Sequence, residues 1–158
     1  MTWEEICADP FLAQSPYRIE TDRWGNIVMS PPASGFHSFS QSRIVIRLEQ
    51  LMSGGYGLTE CPVQTLGGVK AADVAWMSRE RFAQLPLSGA HQTAPEICIE
   101  VRSPNNSFRE IQEKLSLYFD AGAVECWMCD RNGQMNFYNA DGPLRRSALC
   151  PDFPEQVG

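Results

Sequence analysis

Two rhythms alternate along this chain. "YRIE" and "NIVMS", separated by "TDRWG", are short extended runs around Gly25-Asn26 and predict a hairpin. "SPPASG" breaks the pattern, and "HSFSQSRIVIRLEQLM" then takes up a helical period, with Ile44, Val45, Leu48, Leu51 and Met52 recurring on one side. Ser38 and Gln41 have the spacing of a capping box in its first turn, and Gly54-Gly55 mark its end. "GLTECPVQTL" and "VKAADVAWM" return to extended character and join at Gly67-Gly68 as a second hairpin. "SRERFAQLP" predicts one or two helical turns, and "LSGAHQTAP" a polar loop. "AVECWMCD" and "QMNFYN", split by Arg131-Asn132-Gly133, predict a last hairpin, followed by an irregular tail, "CPDFPEQVG".

The densest information lies in "PEICIEVRSPNNSFREIQEKLSLYFDAG". It opens as a strand with Ile97, Ile99 and Val101 on one face and Glu100 and Arg102 on the other. Ser107 and Glu110 form an S-x-x-E capping box, so a helix begins near Phe108. Ile111, Leu115, Tyr118, Phe119 and Gly122 form its apolar stripe, and Lys114 sits on the stripe's margin. From spacing alone, Lys114 is the i+4 surface partner of Glu110, or it carries its amine along the core to an edge. Glu100 likewise has three readings: a solvated acid, a partner of Arg102, or a metal ligand.

The element order (strand hairpin, helix, strand hairpin, strand, helix, strands) predicts an α/β (α+β) sandwich, a mixed sheet packed against two main helices. The 158 residues predict a single domain spanning 1–158, and the hydrophobic fraction of 43% suits a folded globular protein. No apolar run reaches the roughly 18 residues of a bilayer span, and "MTWEEICADPF" lacks a secretion signal, so the expected location is cytoplasmic. Six cysteines then read as packed thiols. Cys126 and Cys129 look like a CxxC pair, but on a strand residues three apart face opposite ways, against zinc or redox use. The net charge of −6 counts against a protein that coats nucleic acid, but leaves room for a site where metal ions offset acids.

"AADVAWMS" followed by P-x-x-x-x-E-V-x-S-P, a helical Lys and Tyr, A-G-x-x-E-x-W and a closing Asp resembles the Uma-two family of restriction-endonuclease-like proteins, in the PD-(D/E)XK nuclease superfamily. "MSPPASGFH" and the hairpin before it fit the same family, and the resemblance runs from about residue 17 to 139. It implies a restriction-endonuclease-like fold with Asp73 and Glu100 as the two acids. The family's lysine, displaced from the strand to the following helix, falls on Lys114. Arg102 occupies the strand position of the superfamily lysine, and Ala72 replaces the proline that usually precedes the aspartate. His37 falls where family members often carry a histidine.

The activity so implied is metal-dependent endonucleolytic hydrolysis of phosphodiester bonds in DNA, by a homodimer. Mg²⁺ or Mn²⁺ would sit between Asp73, Glu100 and the backbone carbonyl of Val101, as hard cations take oxygen ligands. Lys114, with a pKa lowered by lost hydration, would activate water, while Arg102 holds the phosphate or Glu100. Glu20 and Glu49 are further acidic candidates. The alternative is a nuclease-fold binding or regulatory protein without catalytic activity.

Overall fold

The computed structural model describes residues 1–84 and 89–158. A capping box of Thr2 and Glu5 starts α1 (Trp3–Ala8), and Asp9 caps the single turn α2 (Pro10–Ala13). Sequence patterning missed both, because six and four residues are too few to establish an apolar period. The first hairpin forms as expected from β1 (Arg18–Thr21) and β2 (Ile27–Ser30), and is a separate two-stranded sheet.

Helix α3 (Gly35–Leu51) starts earlier than patterning suggests. Its cap is Ser34, whose hydroxyl accepts from the His37 amide, not the Ser38–Gln41 box. Ser34 directly follows "PPA", so the chain is extended up to that point and turns there, and Gln41 is left free for other work. The second hairpin is β3 (Gly55–Thr65) and β4 (Gly68–Ser78). After it come a short α4 (Arg79–Phe82) and the loop towards Pro95; Leu85 to Ser88 of the predicted turn and loop lie outside the described residues. The remaining elements are β5 (Ile97–Val101), α5 (Phe108–Asp120), β6 (Glu125–Cys129), β7 (Met135–Asn139) and β8 (Gly142–Leu144), the last unforeseen in sequence. Ser107 caps α5 through the Glu110 amide, at the predicted place.

Strands β3 to β8 form one mixed sheet in sequential order, antiparallel except for the β5–β6 pair, which α5 joins as a crossover. The fold is thus α/β, as the element order predicts. Ile44 and Leu48 of α3 pack with Val74, Trp76, Ile99, Trp127 and Phe137 on one face of the sheet. Ile111, Leu115 and Tyr118 of α5 pack with Val63, Ala75, Cys98 and Met128 on the other. With both faces covered, all five residues of β5 are buried, so Glu100 does not point to solvent. Cys126 and Cys129 lie in opposite clusters, as strand geometry requires, and all six cysteines are free thiols. The tail has little regular structure, yet Cys150, Phe153 and Val157 complete the α3-side core.

One irregularity in β4 shapes the site. Ala72 belongs to the α5-side core and Val74 to the α3-side core, although a regular strand sends residues two apart to one face. The reversal falls at Asp73. Across the hairpin, Glu60 interrupts the matching stretch of β3 with a φ of +50°, a conformation that costs an L-residue roughly 1–2 kcal/mol. On its other side β4 pairs with β5 only from Val74–Ile99 to Trp76–Ile97. Beyond that the strands fork, and Asp73 sits in the fork.

Candidate active site

The fork would leave the Val101 amide without a ladder partner, a costly state for a buried donor. Asp73 Oδ2 accepts it at 2.7 Å, so the side chain substitutes for a strand carbonyl. Oδ1 faces the other way, 2.6 Å from Arg18 Nη2 and 3.3 Å from His37 Nε2. Gln41 Nε2 donates to the backbone carbonyl of Asp73 at 2.7 Å and to Glu60 at 3.0 Å, tying α3 to both interrupted strands. Asp73 is 1% exposed. Burial alone would raise its pKa, but the imidazole of His37 and the guanidinium of Arg18 bring it below the ordinary range.

Glu100, the first residue past the last β4–β5 pair and 2% exposed, is the second acid. Its Oε1 accepts from the Tyr118 hydroxyl at 2.6 Å and lies 3.3 Å from Lys114 Nζ. Burial and the charge of Asp73 push its pKa well above the usual carboxylate value, with Lys114 offsetting only part. The two neighbouring acids shift in opposite directions, Asp73 down and Glu100 up, so of the pair it is Glu100 that favours the protonated form. Lys114 also reaches Glu20 Oε2 at 2.8 Å. Burial would lower its pKa, but Glu100 and Glu20 raise it, so it stays an ammonium ion. The expectation of a depressed lysine, suited to taking a proton, is therefore corrected. Lost hydration is outweighed by facing carboxylates.

The first hairpin closes the site from above. Glu20 Oε2 accepts the Ala71 amide at 2.6 Å, Thr21 Oγ1 the Val69 amide at 2.8 Å, and the Thr21 carbonyl the Lys70 ammonium at 2.9 Å. Gly68, at a φ of +102°, lets the backbone of Thr21 and Asp22 approach where any Cβ would collide. Arg18 and Glu20, two apart on β1, thus hang over Asp73 and Lys114. Together these residues line a cavity of about 730 Å³ whose walls carry five acids (Glu20, Asp73, Glu100, Glu110, Glu113) and three bases (Arg18, Lys70, Lys114). That excess of carboxylate suits an added cation better than a bare phosphate.

The sequence-predicted residues Asp73, Glu100, Lys114 and His37 come together here, as does Glu20. Lys114 is paired with Glu20 and Glu100, not with Glu110. Arg102 departs from expectation. The strand ends at Val101, and the guanidinium turns away to the Asn106 carbonyl at 3.2 Å, bracing the turn before α5. The contact shown at Val101 is through its amide, not its carbonyl. Glu49 accepts the Gly57 amide away from the cavity. Sequence reasoning missed Arg18, Gln41 and Glu60, and missed Tyr118 as the donor to Glu100. The period-two spacing of Arg18 and Glu20 in "YRIE" was the available signal for the first.

As to a cation, three groups offer one ligand atom each within 4.8 Å of one another: His37, Glu60 and Asp73. His37 Nε2 and Arg18 Nε, both buried, have no hydrogen-bond partner. Two buried acids with the unpartnered His37 Nε2 beside them are a donor set that fits a metal ion, whereas the Arg18 guanidinium can only donate.

The chain is similar to a solved structure described as "a putative nuclease belonging to DUF820" from Anabaena variabilis ATCC 29413, with a TM-score of 0.69 and 18% identity, over 99% of this chain and 83% of that one. At that identity the likeness establishes the fold. No curated protein matches the chain in sequence. The Uma2 family, described as "Putative restriction endonuclease", matches residues 3–141. The chain belongs to the Uma2 family.

Proposed function

We propose that this protein is a metal-dependent endonuclease that hydrolyses phosphodiester bonds in DNA. The observation that carries the reading is the buried pair Asp73–Glu100 at the floor of the cavity, with the Lys114 ammonium 3.3 Å from Glu100. Asp73 and Glu100 would hold Mg²⁺ or Mn²⁺, with the Val101 carbonyl as a proposed third ligand. Such an ion, when bound, supplies a polarised phosphoryl oxygen and a more acidic water. The chain's own residues do the rest. Tyr118, whose own pKa is raised by burial and the charge of Glu100, remains a phenol and fixes the rotamer of Glu100 by donating to Oε1. Lys114 stays protonated, so it orients water and neutralises charge developing on the phosphoryl group instead of accepting a proton. Arg18 is the second cation facing the cavity, in the place the sequence suggested for Arg102, and can meet phosphate in two places. His37 supports Asp73 at Oδ1. Glu20 aims Lys114.

A homodimer, which would set two such sites against the two strands of a duplex, and a cytoplasmic location complete the reading. Phe36, Phe39 and Ile46, exposed on α3, offer apolar surface for pairing. Among the described residues no helix is long and apolar enough to cross a membrane.

The test is cleavage of supercoiled plasmid with Mg²⁺ or Mn²⁺ by the parent, Asp73→Asn, Glu100→Gln and Lys114→Met. Nicking that needs metal and disappears in all three variants is expected. Cleavage surviving in either acid variant refutes the site. Metal binding without cleavage of any nucleic acid would return the chain to a binding or regulatory role.

A further inference from the structure

The two oxygens of Asp73 face different environments. Oδ2 turns to the Val101 amide, and Oδ1 turns to His37, Glu60 and Arg18. We infer that His37, Glu60 and Asp73 Oδ1 form a second cation position, selective for a borderline first-row divalent ion such as Mn²⁺, Co²⁺ or Zn²⁺, and that the Arg18 guanidinium is its built-in competitor. The position shares Asp73 with the proposed nuclease site but uses none of its other ligands.

Three observations support it. The ligand atoms of the three residues lie within 4.8 Å of one another, close enough for a single ion to touch all of them. His37 is 3% exposed, and its Nε2 faces Asp73 Oδ1 across 3.3 Å, a contact too poorly aligned for a well-formed hydrogen bond, with no other partner. A buried imidazole nitrogen seldom stays unpartnered, and a metal ion is what would satisfy it. The third is the arginine. Arg18 Nη2 lies 2.6 Å from Asp73 Oδ1 and 3.1 Å from Glu60 Oε2, bridging the two carboxylates as an ion would.

The donor set decides the class of ion. One imidazole nitrogen and two carboxylate oxygens favour borderline metals over Mg²⁺, which prefers oxygen and keeps its waters. The backbone agrees in detail. Glu60 holds its carboxylate here from a φ of +50°, while Gln41 fixes its other oxygen at 3.0 Å. Arg18 is only one-quarter exposed and enters from the separate two-stranded hairpin, so an incoming ion displaces a single side chain and not a core element.

The experiment titrates the full chain with Co²⁺ by calorimetry and absorption, and records nitrogen hyperfine coupling on bound Mn²⁺ by pulsed electron paramagnetic resonance. Parent protein is expected to bind with an imidazole signature. His37→Gln and Glu60→Gln each weaken Co²⁺ binding by roughly tenfold to a hundredfold, with the nitrogen coupling lost in the first. Arg18→Met tightens it, and Glu100→Gln leaves the coupling in place. Glu60 is half exposed, so its variant should fold even where a His37 variant does not, and melting curves check each. Metal bound without nitrogen coupling, and lost in Glu100→Gln, overturns this inference and leaves the nuclease reading standing. Coupling present with no cleavage does the reverse. A chain that binds no divalent ion refutes both.

Discussion

Replacing Glu100 by Gln isolates what the buried acid pair costs the fold. In the ion-free protein Glu100 keeps its proton well past its ordinary value of 4.5, because of burial and the charge of Asp73. Between that ordinary value and its raised one, the folded state holds a proton that the unfolded state has released. Stability therefore falls as pH rises through that window, by about 1.4 kcal/mol per pH unit for one proton. Asp73, with its lowered pKa, acts in the opposite sense but only below its ordinary value of 3.8, outside this range. Glutamine removes the titration while keeping the shape. Its carbonyl still accepts from Tyr118, and its amide still donates towards Asp73. Urea unfolding at half-unit steps from pH 4.5 to 8 should show the parent losing stability and Glu100→Gln nearly flat, the variant being the more stable at pH 8. Adding Mn²⁺ at high pH should stabilise the parent more than the variant, since only in the parent does an ion take the place of the proton on Glu100. Equal slopes in the two proteins would refute the assignment of a raised pKa to Glu100, and with it the picture of a proton held in reserve for an ion.

Lys114→Met should abolish turnover while metal still binds. Its raised pKa contributes stability that is complete below its ordinary value of 10.5, so the lysine's own titration adds no pH slope between pH 5 and 9, while its loss leaves Glu100 still more reluctant to ionise. A normal single-turnover rate in that variant would sink its role. Glu125→Ala should cost at least roughly 3 kcal/mol in chemical unfolding, because the carboxylate gathers Trp127 Nε1, the Ser147 hydroxyl and the amides of Ala148 and Leu149 in a buried site. A loss under 1 kcal/mol would mean that the tail anchors itself otherwise. Maleimide labelling of native protein should modify Cys7 alone, the one exposed thiol, with the other five cysteines reacting only after unfolding. Fast native labelling at Cys126 or Cys129 would reopen a redox role.

The strand–turn–helix from residue 97 to 120 was legible because each local signal there is strong. Alternation gives β5, the Ser107–Glu110 box starts α5, and a three-to-four period buries Ile111, Leu115 and Tyr118. Asp73, Glu100 and Lys114 were legible only as an ordered motif, not from their spacing. What escaped was set by tertiary contact. Arg102 looked like the partner of Glu100 because alternation assumes that the strand continues, whereas β5 stops at Val101 and the next residues turn. Arg18 lies 55 residues before Asp73, and nothing local announces that a separate hairpin will lay it there. The sign of the shift at Lys114 depends on Glu20 arriving from that same hairpin.

The Asp73–Val101 contact gives the site its own gauge. The amide that Asp73 receives is part of the backbone, so its proton senses the electron density left on that carboxylate. When an ion, a guanidinium or a proton draws on Asp73, the hydrogen bond at 2.7 Å must weaken, and the Val101 nitrogen and proton resonances must move with it. One labelled valine would then follow what occupies the fork in solution, residue by residue through a titration, without substrate and without turnover.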